Sequence, residues 1–135
     1  MQRRSALLFI GSVGGASQSV FPGFRHADAM SKAAVGHMVK LLAAEHCHSP
    51  IDFVCVSPGA VRTDMFKAST LDKMTDAERQ AFIARLPKGR LIEPEEIAEA
   101  VYWLATAQCA RIFNGACLDA SQGLAVRPGL ITERP

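Results

Sequence analysis

The chain has 135 residues, of which 49% are apolar and 21% are charged, and its formal net charge at pH 7 is +2. This length suits a single domain over residues 1–135 with a buried core, and the apolar content excludes a largely disordered chain. The basic residues are scattered apart from Arg3 and Arg4, so charge gives no case for binding nucleic acid or an anionic membrane.

The first predicted element is a buried strand. Residues 6–11 form the apolar run "ALLFIG", and the glycine-rich loop "SVGGASQS" follows it, which indicates a short strand that ends in a loop. The first 16 residues also have the outline of a secretory signal peptide, with a basic start and small residues at the end. Because the unbroken apolar part, residues 6–10, is shorter than a usual signal core, we interpret it as a strand.

A long helix and a second strand are predicted next. Apolar residues recur with helical spacing over about residues 27–45, and they cover a broad face, which predicts burial on more than one side of the helix. Pro50 then stops the helix. The β-branched and aromatic run at residues 51–56, bounded by the turn sequence "SPG", predicts a second buried strand.

The remaining elements complete an α/β pattern. Residues 60–89 include the helix-like run "TDAERQAFIARL" and have the character of an excursion that carries substrate contacts. The run "EPEEIAEAVYWLAT" predicts a helix starting at Pro94, and a short strand is expected around residues 116–118. The side chains expected on the buried side of that helix are Ile97, Ala100, Val101, Trp103 and Leu104. Strands that alternate with helical crossovers predict a parallel sheet covered by helices.

The cysteine, histidine and hydropathy patterns give no sign of a disulfide framework, a metal site or a membrane span. The four cysteines, at positions 47, 55, 109 and 117, lack Cys-x-x-Cys spacing, which favours free thiols in a reducing, cytoplasmic setting. The sequence "HCH" at residues 46–48 closes the long helix, where neighbouring side chains point in different directions, so we do not interpret it as a metal site. No apolar run approaches the length of a transmembrane helix.

Four stretches of the sequence together resemble the C-terminal half of the short-chain dehydrogenase/reductase family. "FIGSVGG" is similar to the family's fifth strand and serine loop, with Ser12 in the place of the catalytic serine. "MSKAAV" is similar to the end of the Tyr-x-x-x-Lys motif, with Lys32 as the lysine. "VSPGAVRTDMF" is similar to the segment that flanks the nicotinamide, and "GRLIEPEEIAEAVYWLAT" is similar to the penultimate helix. The residues that the resemblance implies for cofactor binding are Lys32, Pro58, Gly59, Val61 and Thr63.

The resemblance implies a partial Rossmann-like sheet, made of the family's last three strands with crossover helices, and hydride transfer between NAD or NADP and a carbonyl or alcohol. In the family a tyrosine is the general acid or base, the lysine binds the nicotinamide ribose and lowers the tyrosine's pKa, and the serine orients the substrate oxygen. A phenol, whose ordinary pKa is about 10, needs such a cation to exchange protons near neutral pH. The apolar residues expected to shape the substrate site, or to pack it closed, are Met65, Phe66, Met74, Phe82 and Ile83.

The first departure from the family pattern removes the proton donor. The position four residues before Lys32, where the family has its tyrosine, is Asp28, and the chain's one tyrosine, Tyr102, lies in the late helix. Aspartate side chains are ionised at neutral pH and a nearby lysine favours that form, so Asp28 cannot readily donate a proton to a carbonyl. We interpret Asp28 as an ion-pair partner of Lys32 in preference to a catalytic residue. His26 is interpreted as a solvated histidine at the helix start.

The second departure is larger, because the sequence has no counterpart of the dinucleotide-binding half with its Gly-x-Gly-x-x-Gly turn. Val54 also replaces a common asparagine, and "DASQG" replaces a double glycine.

Three hypotheses follow: a truncated or degenerate relative without hydride transfer, a pseudoenzyme subunit that pairs with a complete homologue or complementary half, or an enzyme active only in an assembly through Ser12, Asp28 and Lys32. An exposed edge on the first strand predicts a homo- or hetero-oligomer, and the family's common use of the long helix as an interface favours a dimer.

Overall fold

The computed structural model describes residues 5–17 and 25–126, which form a three-stranded parallel sheet with helices on both faces. The strands, in their order across the sheet, are β1 (Ser5–Ile10), β2 (Ile51–Pro58) and β3 (Cys117–Ala120). The helices are α1 (His26–Glu45), α2 (Asp64–Ser69), α3 (Asp76–Arg85) and α4 (Pro94–Thr106). The predicted partial Rossmann-like fold is confirmed. Arg3, Arg4 and the start of the signal-like segment lie outside the described residues.

The strand directions determine where functional groups can meet. β1 pairs with β2 along its whole length, and β3 pairs with the second half of β2, both in parallel. The loops that follow Ile10, Pro58 and Ala120 therefore leave from the same edge of the sheet. This edge carries the segments that the sequence assigns to the serine loop and to the nicotinamide.

The core has two layers, one on each face of the sheet, because successive side chains of a strand point to opposite faces. On the first face, Val39 and Ala43 of α1 pack against Phe53 and Cys55 of β2. On the second face, the buried residues that pack together are Val54, Val56, Leu104 and Ala110. β2 is thus buried on both sides, as its unbroken apolar run predicts.

The expectation that α1 is buried on more than one side is wrong for this chain. Its fully buried residues are Val39 and Ala43, whereas Met30 is 70% exposed, Met38 40% and Leu41 57%. The broad apolar face therefore covers one layer of the sheet and leaves a second apolar surface open. In the described residues no other element of this chain lies over that surface.

The expected burial of α4 needs a similar correction. Leu104 is buried and Ile97 and Val101 are half-buried, but Ala100 is exposed and Trp103 is 46% exposed. The Trp103 ring instead lies beside Phe113, with 6.0 Å between ring centroids. A large indole commonly keeps part of its surface in water, so helical periodicity alone overestimates the burial of Trp103.

Candidate functional site

Ser12 lies immediately after β1 and begins the glycine-rich turn Val13–Gly15. Its Oγ accepts a hydrogen bond from Gly14 N at 3.1 Å, and the residue is half-buried. A hydroxyl that accepts one bond still has its own hydrogen to donate. Ser12 is therefore held in place while keeping the donor that orienting a substrate oxygen requires.

The turn after Ser12 rests directly on the backbone of α1. A Cβ atom added to Gly15 would lie 2.5 Å from the Lys32 carbonyl carbon and 2.7 Å from Ala33 N, so only a residue without a side chain fits there. This contact brings the serine loop to the part of α1 that carries Lys32. The two catalytic segments implied by the resemblance are thus neighbours.

Asp28 and Lys32 do not form the ion pair expected from their spacing. Asp28 is exposed in the first turn of α1, where its carbonyl oxygen accepts from Ser31 Oγ at 2.7 Å, and Lys32 is half-buried. Among the described residues the side-chain ion pairs are Arg62 with Glu93, Arg79 with Asp76 and Arg90 with Glu96. An exposed pair one helical turn apart gains little over hydration of the separate charges, which explains its absence. His26 is the exposed first residue of α1.

Pro58 and Gly59 connect the ends of two strands. Pro58 is the buried last residue of β2, and Gly59 N donates to Ala120 O at 3.4 Å. A Cβ on Gly59 would lie 3.0 Å from both Cα and Cβ of Ser121. The glycine therefore lets the loop after β2 approach the loop after β3 closely, and the backbone there is well fixed.

Val61 presents an unused backbone donor at this edge. Ile92 N donates to Ala60 O at 2.9 Å and Arg62 N donates to Ile92 O at 2.8 Å, which is a parallel bridge between Val61 and Ile92. In such a bridge the N–H and C=O of Val61 itself point away from Ile92. The C=O accepts from Thr63 N at 2.9 Å, whereas the N–H has no hydrogen-bond partner among the residues that the structure describes.

Thr63 completes the segment as the N-cap of α2. Its Oγ1 accepts from Phe66 N at 3.2 Å, which satisfies one of the free amides at the helix start. Thr63 is half-buried, and its hydroxyl hydrogen can still donate. Pro58, Gly59, Val61 and Thr63 therefore form one continuous, ordered stretch at the carboxyl edge of the sheet.

Arg90 is a positioning residue that the sequence reasoning missed. Its guanidinium makes two bonds to Glu96, Nη1 to Oε2 at 2.6 Å and Nη2 to Oε1 at 2.7 Å. The bond from Arg90 is the main reason why the pKa of Glu96 falls to about 2. Glu96 Oε2 also accepts from Glu93 N at 2.8 Å, and the Glu93 carboxylate accepts from Arg62 Nε at 2.9 Å. Arg62 thus fastens the loop after β2 to the start of α4, and Arg90 holds the first turn of α4 to the loop that precedes it.

Gln122 was missed as well, and it links the same cluster to the end of β3. With its side-chain amide in the orientation that satisfies both neighbours, the oxygen accepts from Arg90 Nη2 at 2.7 Å and the nitrogen donates to Pro87 O at 3.1 Å. Gln122 has a φ of 59°, a left-handed conformation that few residues other than glycine adopt. The sequence signal that could have found it is "DASQG", a polar run immediately after a strand at the carboxyl edge.

The helices α2 and α3, which lie between residues 60 and 89, pack partly against each other. The Phe66 and Phe82 rings have centroids 6.3 Å apart, Met74 and Ile83 are half-buried, and Met65 is 78% exposed. α3 has its own N-terminal cap, since Thr75 Oγ1 accepts from Glu78 N and Thr75 N donates to Glu78 Oε2. The aromatic residues expected to shape a substrate site therefore contact each other, and Met65 is the residue left open.

The described residues give no structural indication of a metal site or a membrane span. Within residues 5–17 and 25–126, no three histidine, cysteine or acidic side chains come together as a metal ion would require. The "HCH" run has a packing role, because the His46 ring stacks on Phe53 with 5.5 Å between centroids. In the same ranges no helix has the length and apolar character needed to cross a bilayer.

Comparison with known proteins agrees with this geometry. The family described as enoyl-(acyl carrier protein) reductase matches residues 1–125. The 3-oxoacyl-[acyl-carrier-protein] reductase FabG of Vibrio cholerae is 35% identical over 115 residues, which are 85% of this chain and 42% of that protein. The 3beta-hydroxysteroid dehydrogenase 1 of Eggerthella lenta is 35% identical over 102 residues, 75% of this chain and 37% of that protein.

Solved structures are similar over the same region. The aldohexose dehydrogenase of Thermoplasma acidophilum superposes with a TM-score of 0.80 at 26% identity, over 99% of this chain and 52% of that one. The gluconate 5-dehydrogenase of Burkholderia cenocepacia, solved with NADP and tartrate, superposes with a TM-score of 0.77 at 25% identity, over 93% and 46%.

A parallel sheet with a serine loop, a lysine-bearing helix and a proline-glycine segment at its carboxyl edge defines an oxidoreductase fold of the Rossmann-like class. The chain belongs to the short-chain dehydrogenase/reductase family. It spans about 42% of the length of the curated reductases that it matches over 115 residues. The fold is accordingly the partial one that the sequence predicts.

Proposed function

We propose that this chain forms the nicotinamide end of a short-chain dehydrogenase/reductase site and that, as an isolated polypeptide, it does not transfer hydride. The observation that carries the proposal is the identity of residue 28, which is an aspartate and not a tyrosine. An exposed Asp28 lies one helical turn before Lys32, where the resemblance requires a tyrosine. An ionised carboxylate has no proton to give to a carbonyl, and it is a weak base towards an alcohol.

The carboxyl edge of the sheet has groups that suit a nicotinamide. The Val61 N–H, which has no partner among the described residues, is a fixed donor for an amide oxygen, and Thr63 lies two residues further along the same ordered segment. Lys32 lies where the serine loop meets α1, and its ammonium would donate to ribose hydroxyls. Bound NADH or NADPH would supply a hydride to a carbonyl, and bound NAD or NADP would accept one from an alcohol, while Ser12 would orient the substrate oxygen.

The pyrophosphate end of the cofactor has no matching binding motif in this sequence. Pyrophosphate binding in Rossmann-like folds needs a glycine-rich turn that delivers a helix N-terminus to the phosphates. The 135 residues contain no Gly-x-Gly-x-x-Gly stretch. We therefore expect this chain alone to bind a dinucleotide weakly, with contacts to the nicotinamide half only.

Titration of the purified chain with NADH and NADPH, by fluorescence and calorimetry, tests this proposal together with the mass of the species in solution. We expect no saturable binding at micromolar concentration and no carbonyl-dependent oxidation of either cofactor. Micromolar binding with turnover by the monomer would refute the proposal. Turnover confined to an oligomer would favour the enzyme that is active only in an assembly.

Two substitutions identify the role of Asp28 if an active assembly is found. Asp28→Tyr restores the Tyr-x-x-x-Lys spacing, and Ala27→Tyr is the matched control, because it adds the same side chain on a different face of α1. Loss of turnover in Asp28→Tyr but not in Ala27→Tyr would show that the assembly requires the aspartate. Survival or an increase of activity in Asp28→Tyr would show that the aspartate is dispensable and that a tyrosine can serve at this position.

A second candidate function is that of a non-catalytic subunit that pairs with a complete homologue or a complementary half. It is favoured by exposed apolar surface on β1, where Leu7 is 49% exposed and Ile10 52%, and where one edge carries no strand in the described residues. Unpaired apolar edges promote pairing with another chain. α1 adds the exposed residues Met30 and Leu41 to the available surface.

Light scattering across a dilution series tests this second candidate. We expect homo-oligomers of the native chain by itself or hetero-oligomers once a complete homologue is added, and weaker association for Leu7→Glu in either case. Met65→Glu is the control, since Met65 is more exposed but lies in α2, away from β1. A monomer that unfolds cooperatively at low concentration would contradict a subunit role.

A further inference from the structure

A pair of cysteines lies beneath α1, next to the candidate site, and nothing in the proposed function uses it. Cys55 of β2 and Cys117 of β3 are direct partners in the parallel register. Partners in a parallel sheet point to the same face, and here that face is covered by α1, since Cys55 packs with Val39 and Ala43. Cys117 Sγ reaches the same helix and donates to Gly36 O at 3.4 Å.

The spacing suits a cross-link between the two strands. Neighbouring strands lie about 4.8 Å apart, and disulfides join residues whose Cα atoms are about 4.4–6.8 Å apart. Both sulfurs also occupy space that glycines leave open. A Cβ on Gly11 would lie 2.8 Å from Cys55 Sγ, and a Cβ on Gly36 would lie 3.3 Å from Cys117 Sγ.

The two thiols differ in solvent exposure, and a two-step oxidation requires such a difference. Cys117 is exposed and Cys55 is 1% exposed, so a dissolved oxidant meets Cys117 first. Burial chiefly, and then the neighbouring Cys55, raise the pKa of the Cys117 thiol. A raised pKa leaves less thiolate at neutral pH, so the attack by Cys117 is slower there than at alkaline pH.

We propose that Cys55 and Cys117 are a redox modification site that forms an intramolecular disulfide with a small disulfide oxidant such as glutathione disulfide. The Cys117 thiolate attacks one glutathione sulfur, forms a mixed disulfide and releases one glutathione thiolate. The Cys55 thiolate then attacks the Cys117 sulfur, and the second glutathione leaves as a thiolate. The two cysteine protons pass to the two glutathione thiolates, so two thiols are oxidised and one disulfide is reduced.

Formation of this bond would change the packing beneath the serine loop. The Cys55 side chain lies next to Gly11, which precedes that loop, and next to Ser57, near the end of β2. Cys55 Sγ is 3.7 Å from Ser57 Oγ and is the nearest atom to the side-chain position of Gly11, which directly precedes Ser12. Drawing Cys55 towards Cys117 changes the packing under Gly11. The oxidation state of the pair is thereby coupled to the position of Ser12.

Oxidation of the native, reduced chain with glutathione disulfide, followed by alkylation and peptide mass mapping, tests the proposal. We expect a cross-linked peptide pair containing Cys55 and Cys117 and the loss of both free thiols. Cys117→Ser should abolish the cross-link and leave Cys55 free. Cys109→Ser is the matched control, because Cys109 is an exposed thiol that follows α4, and it should retain the cross-link in full.

The opposite results are equally clear. A stable glutathione adduct on Cys117 with Cys55 still free would overturn the proposal, as would cross-links to Cys47 or Cys109 at a similar yield. Mapping of the unsubstituted protein does not depend on the folding of any variant, so these outcomes decide the matter even if Cys117→Ser folds poorly.

Discussion

Replacing Gly15 by alanine should weaken the contact between the serine loop and α1. The new methyl group would lie 2.5 Å from the Lys32 carbonyl carbon and 2.7 Å from Ala33 N, whereas comfortable carbon contacts are about 3.5–4.0 Å. Both neighbours are helix backbone, which cannot swing aside as a flexible side chain can. The loop must therefore move by about 1 Å relative to the helix.

The size of the effect follows from two opposing terms. Overpacking of a well-packed contact costs about 1–3 kcal/mol, and a fixed backbone favours the upper part of that range. The loss of glycine's freedom in the unfolded chain returns about 0.4–1 kcal/mol. We expect Gly15→Ala to lower the free energy of unfolding by about 2 kcal/mol.

Gly14→Ala is the control, because it adds the same methyl group one residue earlier. There the nearest atom would be Ser12 Oγ at 3.5 Å, an ordinary contact, and neither glycine has a positive φ. Urea denaturation at one protein concentration should show Gly14→Ala equal to or slightly more stable than the native chain. Equal midpoints for the two variants would refute the conclusion that the serine loop rests on α1 at Lys32.

Two further predictions concern the residues that hold the site together. The bond from Arg90 lowers the pKa of Glu96 from 4.5 to about 2, so this carboxylate stabilises the fold above pH 4.5 and loses that contribution as the pH falls towards 2. The difference in Tm between native chain and Glu96→Gln should therefore shrink across that interval, and a constant difference would contradict the linkage. Asn114→Ala should cost about 1–3 kcal/mol, because Asn114 Oδ1 is the acceptor for the buried Phe53 N at 2.9 Å; an unchanged urea midpoint would contradict this role.

The features that the sequence predicts well are those carried by neighbouring residues. The strand at residues 51–56 appears as an unbroken β-branched and aromatic run, and the structure extends it by two residues to Pro58. The helices α1, α3 and α4 follow from local periodicity and, for α4, from the start signal at Pro94. The order of Ser12, Lys32 and the proline-glycine segment, and the aspartate at position 28, are likewise visible in the printed sequence.

Features that join distant residues were decided by the tertiary structure. Periodicity shows that α1 has a broad apolar face, but burial depends on which element lies opposite, and this chain covers one side. The spacing of Asp28 and Lys32 permits an ion pair that the folded chain does not make. Conversely, no spacing rule relates Arg90 to Gln122, which meet because β3 ends beside the loop that precedes α4.

The sequence by itself thus determined the class of fold, the segments at the carboxyl edge and the missing tyrosine, because these depend on residue identity and short-range periodicity. The alignment of Cys55 with Cys117, the free Val61 N–H and the contact of Gly15 with α1 depend on strand register and on the approach of backbones that are far apart in the chain. Those relations are set by packing, and packing exists only once the sheet and its helices have come together.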